Sequence, residues 1–385
     1  MPQSEQPDTT ATVQPVKYWD YLPDYHRLRD TYLAAVDEVF SSGRLILGSR
    51  VAAFEERFSA WCGAGFGVGV NSATDALFLA FKALDIGPGD EVVTVSNTAV
   101  PTVAAIRATG ATPVFTDVEP DSYLMDVAMV TSLITERTRC IVPVHLCGQM
   151  VDMAPLLEIA RNRGIGVVED CAQACGASYQ GARAGSMGDI GAFSFYPTKI
   201  LGAFGDGGLA ITSRSELFKR LQRLRFYGMD GAYYAEEEGY NSRLDEVQAV
   251  ILLQRLPAVE AAVAHRQAIA QIYDQGLAGI GDLGLPARRP DRSHQYYLYT
   301  IRTGSRDALQ NYLSEHGIET RINYPYPIHL MRGYSFLGYK EGDLPVTERL
   351  AGEILSLPMY NEIPETDART VVDAVIRFFR SRYRL

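Results

Sequence analysis

Lys199 is the residue whose surroundings best suit covalent chemistry. It ends the segment FSFYPTK and precedes ILGAFGDGG, so its neighbours are mainly apolar residues and glycines. A partly buried amine loses the solvation of its charged form, which leaves it nucleophilic and able to form a Schiff base with an aldehyde. A lysine that reaches solvent from a loop fits the local sequence about equally well. The remaining lysines have the polar surroundings of surface residues: Lys17, Lys82, Lys219 and Lys340.

Two polar residues follow a predicted strand in a position suited to ligand binding. Asp170 ends the segment GVVED, and Gln173 lies three residues further on. Open α/β sheets bind ligands at the C-terminal ends of their strands. In an enzyme that uses pyridoxal 5′-phosphate (PLP), an Asp that pairs with the pyridine nitrogen keeps the ring electron-accepting, and Gln173 could reach the ring hydroxyl. A turn or helix cap for Asp170 and a solvated position for Gln173 are the alternatives.

A phosphate site is predicted at the turn NSATDAL, where a strand leads into a helix. Free backbone N–H groups and the helix dipole favour an anion at such a helix start, so Ser72, Ala73 and Thr74 are candidate phosphate contacts. Ser194, five residues before Lys199, is a second candidate donor. Simple N-capping by the turn and an ordinary strand position for Ser194 are the alternatives.

Several other chemistries lack their sequence motifs. Four alternate glycines over 63–69 do not complete the dinucleotide-binding pattern, and a literal G-x-G-x-x-G over 279–284 follows a helix instead of a strand. The chain has no Gly-Lys pair, which excludes a Walker A loop. Cys171 and Cys175 have no second cysteine or histidine pair beside them, so we expect no metal site.

The composition is that of an ordinary globular enzyme. Of the 385 residues, 47% are hydrophobic and 21% charged, and this length favours two domains. The net charge of −10 argues against a nucleic-acid partner. We find no uniformly apolar stretch of about 18 residues and therefore expect no membrane span. The polar segment 1–17 is predicted to be a disordered tail, and the odd count of five cysteines favours reduced thiols in the cytoplasm.

Alternating strands and helices must position the candidate residues. Largely apolar strands are predicted at 66–70, 92–96, 113–118, 140–146, 166–170 and 192–196. With helices between several of them, this order predicts an α/β fold with a mostly parallel central sheet. After residue 212 the pattern is mainly helical, with Pro257 breaking or kinking a long helix. We expect a large domain over 18–255 and a smaller C-terminal α+β domain over 256–385.

These segments together resemble one family, the sugar aminotransferases of DegT/DnrJ/StrS type. The matching motifs run in order from Ser42 to Tyr360 and include NSATDALFLAFKAL, VEDCAQACGA, GAFSFYPTKILGAFGDGG, YNSRLDEVQA and INYPYPIHL. Each motif alone is modest, but the ordered combination is specific. The resemblance implies a PLP-dependent transferase of fold type I, the fold of aspartate aminotransferase.

The resemblance also implies roles toward the cofactor. Lys199 matches the lysine of the internal aldimine, and Asp170 matches the partner of the pyridine nitrogen. Gln173 matches a residue beside the ring hydroxyl, while Ser194 and the turn Ala73–Thr74 match phosphate contacts. Some relatives are dehydratases that carry histidine in place of the lysine, so the lysine in this chain favours transamination.

Asn241, in the motif YNSRLDE, matches a phosphate contact that is made from the other subunit. The resemblance therefore implies a homodimer with shared active sites. From the local sequence alone, Asn241 could instead cap the helix that begins with SRLDEVQAV.

Three residues match the region around the sugar: Tyr196, Tyr324 and His329. The chain also departs from the family pattern at two positions. Ala99 stands where many members have an aromatic residue that stacks on the cofactor ring, and Cys175 stands where histidine is common. Any contact that depends on those side chains is therefore not expected here.

The segments SNTAVPT and DCAQA look most like members that act on 3-keto deoxysugars. The implied reaction is a ping-pong transfer of an amino group from L-glutamate to a dTDP-linked 3-keto-6-deoxyhexose, for an antibiotic or a polysaccharide. A 4-keto-sugar aminotransferase on the same scaffold is the nearest alternative. A nicotinamide-dependent oxidoreductase and a non-catalytic, cofactor-binding regulator are alternatives from other classes.

Overall fold

A computed structural model describes residues 15–231 and 233–383. The helices are α1 (Leu22–Ser42), α2 (Ser49–Cys62), α3 (Ala73–Ala83), α4 (Val100–Ala108), α5 (Val127–Leu133), α6 (Met153–Arg163), α7 (Ser215–Leu224), α8 (Glu246–Arg255), α9 (Val259–Leu277), α10 (Arg306–Glu315), α11 (Pro345–Glu353) and α12 (Glu365–Tyr383). The strands are β1 (Phe66–Val70), β2 (Glu91–Val95), β3 (Thr112–Thr116), β4 (Thr138–Ile141), β5 (Gly166–Asp170), β6 (Ser178–Tyr179), β7 (Ala182–Arg183), β8 (Ile190–Ser194), β9 (Gly208–Thr212), β10 (Tyr299–Arg302) and β11 (Ile354–Leu357). Short 3₁₀ helices cover Leu146–Gly148, Leu256–Ala258, Ile328–Leu330 and Arg332–Leu337.

A seven-stranded sheet with the order β1-β9-β8-β5-β4-β2-β3 forms the centre of the larger part. Its strands are parallel except β9, which runs antiparallel to both β1 and β8. Successive residues enter different apolar clusters, as Val92 and Val93 do, because side chains alternate across a sheet and both faces are covered. The predicted α/β fold with a mostly parallel sheet is confirmed.

One predicted strand is shorter than expected. The segment 140–146 was expected to be extended throughout, but β4 ends at Ile141 and a 3₁₀ helix begins at Leu146. Pro143 has no N–H group to donate to a neighbouring strand, which explains the early end of the ladder. Val144 keeps only an isolated bridge to Asp170.

The direction of the strands brings four loops to one edge of the sheet. β1, β2, β5 and β8 all point the same way, because β9 reverses the direction twice between β8 and β1. The edge at their C-terminal ends therefore carries the start of α3, the start of α4, Asp170 and Ser194. These elements hold the candidate residues within reach of one another.

The C-terminal part has its own apolar cluster, in which α9 packs on α12 and β10 pairs with β11. Val16 belongs to this cluster and bonds to the backbone on both sides of Ile318. The predicted tail over 1–17 therefore extends too far at its C-terminal end; residues 1–14 lie outside the described residues. Val259 and Val263, beyond the predicted boundary at 255, pack in the cluster of the larger part. The exact domain boundary stays a prediction.

The segment Glu246–Leu277 is long and apolar enough, by length and composition alone, to cross a membrane. Sequence analysis expected no such segment. The structure breaks it as predicted at Pro257, which lies in a 3₁₀ helix between α8 and α9. α8 packs against α1 and α2, and α9 packs against α12. Both halves therefore bury an apolar face inside the protein.

Candidate active site

A cavity of ≈ 310 Å³ lies at the C-terminal edge of the sheet. Its walls include most of the residues predicted from the sequence: Ser72, Ala73, Thr74, Asp170, Gln173, Ser194, Tyr196, Lys199 and Tyr324. Asn241 and His329 do not line it. The convergence of residues from several strand ends on one cavity is the pattern expected of a ligand site in an open α/β sheet.

Asp170 is buried at the base of this cavity. One carboxylate oxygen accepts a hydrogen bond from the Thr102 hydroxyl at 2.7 Å, and the other accepts from the Ala172 N–H at 3.1 Å. Burial raises the pKa of Asp170, while these two bonds and the charge of Lys199 oppose that rise. Because Asp170 accepts a bond from the N–H group two residues further on, its alternative role in a turn is also present. A buried carboxylate is stabilised by a cation, and a protonated pyridine nitrogen would supply one.

Gln173 is buried and fixed at both ends. Its Oε1 accepts a hydrogen bond from the Cys147 N–H at 2.8 Å, and its Nε2 donates to the Tyr324 hydroxyl at 3.0 Å. The alternative of a solvated surface residue is therefore wrong. Burial raises the pKa of Tyr324, so its hydroxyl stays protonated at neutral pH. Gln173 and Tyr324 together present a fixed pair of hydrogen-bonding groups to the cavity.

The beginning of α3 has the geometry of an anion site. Ser72 is the N-cap and accepts from the Asp75 N–H at 3.2 Å. Within the described residues, no acceptor bonds to the N–H groups of Ala73 and Thr74. Gly208 in β9 permits this arrangement, because a Cβ there would lie 2.2 Å from the carbonyl carbon of Ser72. The helix start can therefore lie directly against the sheet and face the cavity.

Ser194 and Lys199 complete the opposite side of the cavity. Ser194 ends β8 and lines the cavity, and its hydroxyl accepts from the Tyr196 N–H at 3.3 Å. Lys199 is half-buried, and its Nζ lies 4.2 Å from the centre of the Tyr297 ring. Of the five lysines, Lys199 alone lines this cavity. The alternative of a lysine that merely reaches solvent is not supported.

His329 was expected near the sugar, but the structure gives it a different place. Its ring is buried, with Nδ1 2.8 Å from the Ser96 hydroxyl and Nε2 3.1 Å from a carboxylate oxygen of Glu348. Both ring nitrogens are thus occupied by the protein itself. His329 connects the segment that contains Tyr324 with Ser96, which directly follows β2. It does not line the cavity.

Asn241 is exposed and lies beside the start of α3, outside the cavity of its own chain. The Asn71 side-chain amide donates to the Asn241 carbonyl at 3.2 Å, and Ser242 bonds to Asp75 at 2.6 Å. The N-cap of α8 is Asp245, so the alternative of Asn241 as the cap of that helix is wrong.

The two departures from the family pattern have different surroundings. Ala99 is the N-cap of α4 and lines the cavity, so the missing aromatic ring leaves a gap in its wall. Cys175 lies in the apolar cluster of the larger part, away from the cavity, and burial raises its pKa to about 12. Its thiol is therefore protonated and unreactive at neutral pH.

Thr102 and Tyr297 are among the cavity residues that the sequence did not indicate. Thr102 donates to Asp170, and Tyr297 contacts Lys199. Each contact joins parts of the chain that are far apart in sequence, so no local pattern could indicate it. Tyr297 lies just before β10, outside the segments that the sequence marked as candidate site residues.

Side-chain atoms of His145, Glu169 and Cys171 lie within 4.8 Å of one another, which is the spacing of a metal site that the sequence did not predict. However, His145 Nε2 bonds to Glu169 at 3.0 Å, and its Nδ1 accepts from the Val151 N–H at 3.2 Å. Glu169 also accepts from three N–H groups of the loop 185–188. Although burial opposes it, the bonds from His145 and this loop hold the pKa of Glu169 below its usual range. These hydrogen bonds of Glu169 therefore stabilise the end of β5.

The model of the DegT/DnrJ/EryC1/StrS aminotransferase family matches residues 26–376. A dTDP-3-amino-3,4,6-trideoxy-alpha-D-glucose transaminase of Micromonospora megalomicea subsp. nigra is 50% identical, over 93% of this chain and 97% of its own length. A pleiotropic regulatory protein of Geobacillus stearothermophilus is 42% identical, over 94% of this chain and 98% of its own length.

Solved structures are similar over almost the whole chain. Streptomyces venezuelae DesV in complex with a ketimine intermediate has a TM-score of 0.93 at 44% identity, over 95% of this chain and 99% of its own. NtdA from Bacillus subtilis with the bound cofactor PMP has a TM-score of 0.90 at 26% identity, over 96% of this chain and 86% of its own. PMP is the aminated form of PLP, and the cavity walls carry groups that could hold such a cofactor: the buried carboxylate of Asp170, the start of α3 and the amine of Lys199.

Proposed function

The chain belongs to the DegT/DnrJ/EryC1/StrS aminotransferase family, and from this premise we propose that it uses PLP to transfer an amino group from L-glutamate to a dTDP-linked 3-keto-6-deoxyhexose. The observation that carries the proposal is the cavity in which the amine of Lys199 and the buried carboxylate of Asp170 lie together. The name of the 50% identical Micromonospora transaminase places the amino group on carbon 3 of a dTDP-linked sugar and supports that position.

The residues around the cavity have separate roles toward the cofactor. Asp170 would hold the pyridine nitrogen, Gln173 and Tyr324 would lie near the ring hydroxyl, and the start of α3 and Ser194 would bind the phosphate. When bound, PLP supplies an electron sink that stabilises negative charge on the substrate carbon. Thr102 keeps the Asp170 carboxylate in place through its 2.7 Å hydrogen bond.

Lys199 has two roles in this proposal. Its amine would hold the cofactor covalently. During transfer, the same amine would take a proton from one carbon and return it to the other, as a general base and then a general acid. Tyr196, which is 53% exposed at the mouth of the cavity, lies where the sugar would enter.

The active unit in this proposal is a homodimer with shared sites. Asn241 does not line its own cavity and its side chain faces solvent, so it is free to reach the phosphate of a second copy. Ile46 pairs with Asp245 and the Leu45 carbonyl accepts from the Glu246 N–H, which places the exposed apolar side chains of Leu45 and Ile46 close to the segment that carries Asn241. Such a surface suits contact with another copy of the chain.

We also propose a place for the reaction in the cell. The product would be an amino-deoxysugar for an antibiotic or a surface polysaccharide. All five cysteines are buried and free, which fits a reducing compartment such as the cytoplasm. This setting would let the enzyme meet the nucleotide-linked sugars that it modifies.

A regulator that binds the cofactor without turnover is the second candidate, since a relative named as a pleiotropic regulatory protein is 42% identical. The two candidates differ in the response to an amino donor. Under the transfer proposal, glutamate removes the absorbance band of the lysine-bound cofactor. A band that glutamate leaves unchanged would favour the regulator.

Product analysis tests the proposed substrate. The protein is incubated with PLP, glutamate and either the 3-keto or the 4-keto form of a dTDP-6-deoxyhexose, with Lys199→Ala as the inactive control. We expect an amino sugar to form from the 3-keto compound alone. Amination of the 4-keto compound instead would replace the proposed position, and amination of neither would reject the substrate class.

A further inference from the structure

Tyr297 is a cavity residue that no role in the proposed reaction has yet used. Its ring lies under the amine of Lys199, with Nζ 4.2 Å from the ring centre, and the same residue lines the cavity. An ammonium group is attracted to the face of an aromatic ring, because the ring face carries partial negative charge. Tyr297 therefore offers a defined position to the lysine amine when that amine carries no covalent partner.

Tyr297 bonds directly to one of the residues that flank Lys199, and it is linked to the other through Asn361 and Arg266. On one side, its hydroxyl lies 3.0 Å from the Thr198 hydroxyl. On the other side, Asn361 donates to the Ile200 carbonyl at 2.8 Å and accepts from Arg266 at 2.7 Å. These bonds fix the lysine backbone relative to the tyrosine, so the contact between ring and amine does not depend on the lysine side chain alone.

Arg266 supports Tyr297 from the interior of the protein. It is only 1% exposed and donates to the carbonyl oxygens of Tyr296 and Tyr297 at 2.9 and 3.3 Å. Among the described residues no carboxylate forms an ion pair with Arg266, and burial lowers its pKa to about 10. A buried cation without a counter-charge is costly, and here its hydrogen bonds to carbonyl and amide oxygens offset that cost.

We propose that the face of Tyr297 is the resting position of the Lys199 amine whenever that amine is not bonded to the cofactor, and that Arg266 positions this ring through the backbone. From that position the amine can hold the proton during transfer without leaving the cavity. Tyr297 is then an additional active-site residue, and Arg266 is a positioning residue. The proposal rests on the proposed role of Lys199 for its kinetic part, but the contact itself can be tested without turnover.

Chemical labelling of the amine tests the contact. The full-length protein, once in its aminated-cofactor form and once without cofactor, is treated briefly with acetic anhydride, and labelling of each lysine is followed by mass spectrometry. Tyr297→Leu removes the ring face, and Lys199 should label roughly 2- to 30-fold faster, the range expected for a lost cation–π contact. Lys82 provides an internal control in each sample, and Tyr312→Leu provides a matched loss of a half-buried tyrosine elsewhere.

Two further variants separate the ring face from the hydroxyl. Tyr297→Phe keeps the face and loses the bond to Thr198, and Thr198→Val loses the same bond from the other side. We expect both to label Lys199 at the wild-type rate within about twofold, well short of the loss of the ring face. If Tyr297→Phe labels as fast as Tyr297→Leu, or if Tyr297→Leu labels like wild type, the ring face has no such role and the proposal is wrong.

A rate measurement distinguishes this role from a loss of structure. In a single turnover of the aminated form with 2-oxoglutarate, Tyr297→Leu should slow the proton-transfer phase by about tenfold or more, because the free amine is less well placed. Labelling of Lys199 then becomes faster while proton transfer becomes slower. A damaged fold would slow proton transfer too, but it would also change the labelling rate of Lys82 and the absorbance band of the cofactor. Faster labelling in the cofactor-free chain supports the contact even if the proposed substrate is wrong.

Asn361→Ala tests the link between Arg266 and the backbone of Lys199. It breaks the bonds of Asn361 to the Ile200 carbonyl and to Arg266, while the arginine keeps its bonds to the tyrosine carbonyls. Labelling of Lys199 should rise, although by less than in Tyr297→Leu. Labelling at the wild-type rate would remove this link through Asn361 from the proposal.

Discussion

At the scale of single residues, the stability of the protein around Asp170 should depend on whether the cofactor is present. Burial raises the pKa of this carboxyl, so its ionised form destabilises the cofactor-free fold at pH values above the raised pKa. The cost disappears as the pH falls below the pKa of the unfolded state. At neutral pH, Asp170→Asn should therefore be at least as stable as wild type without PLP and less stable with it.

Thermal unfolding with and without PLP, at neutral and at acidic pH, checks this reversal. The difference between the two cofactor-free proteins should shrink as the pH is lowered. Turnover of Asp170→Asn should fall by a factor on the order of 10²–10⁴, the size typical of a positioned acid–base group. If the same protein, wild type or Asp170→Asn, is the more stable one both with and without PLP, the role assigned to Asp170 is wrong.

The cofactor lysine gives a second test at this scale. Lys199→Ala should have no detectable turnover and no absorbance band of lysine-bound cofactor, because the nucleophile and the proton carrier are lost together. Circular dichroism should show an unchanged fold, since the side chain is only half-buried. Lys82→Ala serves as the control and should keep both activity and the band. Turnover in the Lys199→Ala protein would overturn the assignment.

At the scale of elements, we expect the proposed phosphate site to depend on the contact between β9 and the start of α3. A methyl group at Gly208 would lie 2.2 Å from the Ser72 carbonyl carbon, so Gly208→Ala must displace the helix start. We expect a loss of about 1–3 kcal/mol in stability, as overpacking typically costs, together with weaker PLP binding.

Titration of the cofactor-free protein with PLP measures this effect. The matched control is Gly352→Ala in α11, where an added Cβ meets no atom within 4 Å. The control should bind PLP like wild type. Equal PLP affinity for the two variants would show that the phosphate does not depend on this contact.

Elements and motifs were predictable to different degrees. Short runs such as FGVGV and the apolar start of GVVED predicted strands correctly, because a strand buried on both faces is largely apolar. Asp170, Ser194 and Lys199 were found because each lies at or shortly after the end of such a run. The early end of β4 depends on Pro143, which the apolar pattern of 140–146 conceals.

Contacts between segments that are distant in sequence could not be predicted from local patterns. Thr102 and Tyr297 join the site only because the fold brings α4 and the segment before β10 to the same edge. His329 was misplaced for the same reason: its motif indicates a site residue, while its partners Ser96 and Glu348 were not predictable from local spacing. Hydrogen bonds that occupy a ring on both sides become visible only in three dimensions.

At the scale of the whole molecule, the proposed dimer with shared sites leads to a distinct prediction. Lys199→Ala and Asn241→Asp should each be impaired as pure proteins. Refolded together, they should form mixed dimers in which one site carries both changes and the other carries neither. With random pairing, activity should return to about one quarter of the wild-type value.

Dimer exchange must be confirmed separately, for example with a tag on one of the two chains. A mixture of Lys199→Ala with Lys199→Arg is the control, because no pairing of these chains creates an intact site. Recovery no greater than the sum of the two separate proteins, with exchange confirmed, would rule out shared sites.

The place of β1 in the sheet makes the phosphate site a late product of synthesis. β1 pairs with β9, so Val70 can pair only after Gly208 has been synthesised, and Phe66 only after Thr212. Contacts between such distant residues form slowly, because a long loop must close before they contribute. A chain still on the ribosome and shorter than about 212 residues therefore has β1 without its partner and α3 without its support. We therefore expect the nascent chain to bind the cofactor phosphate only after this edge of the sheet has closed.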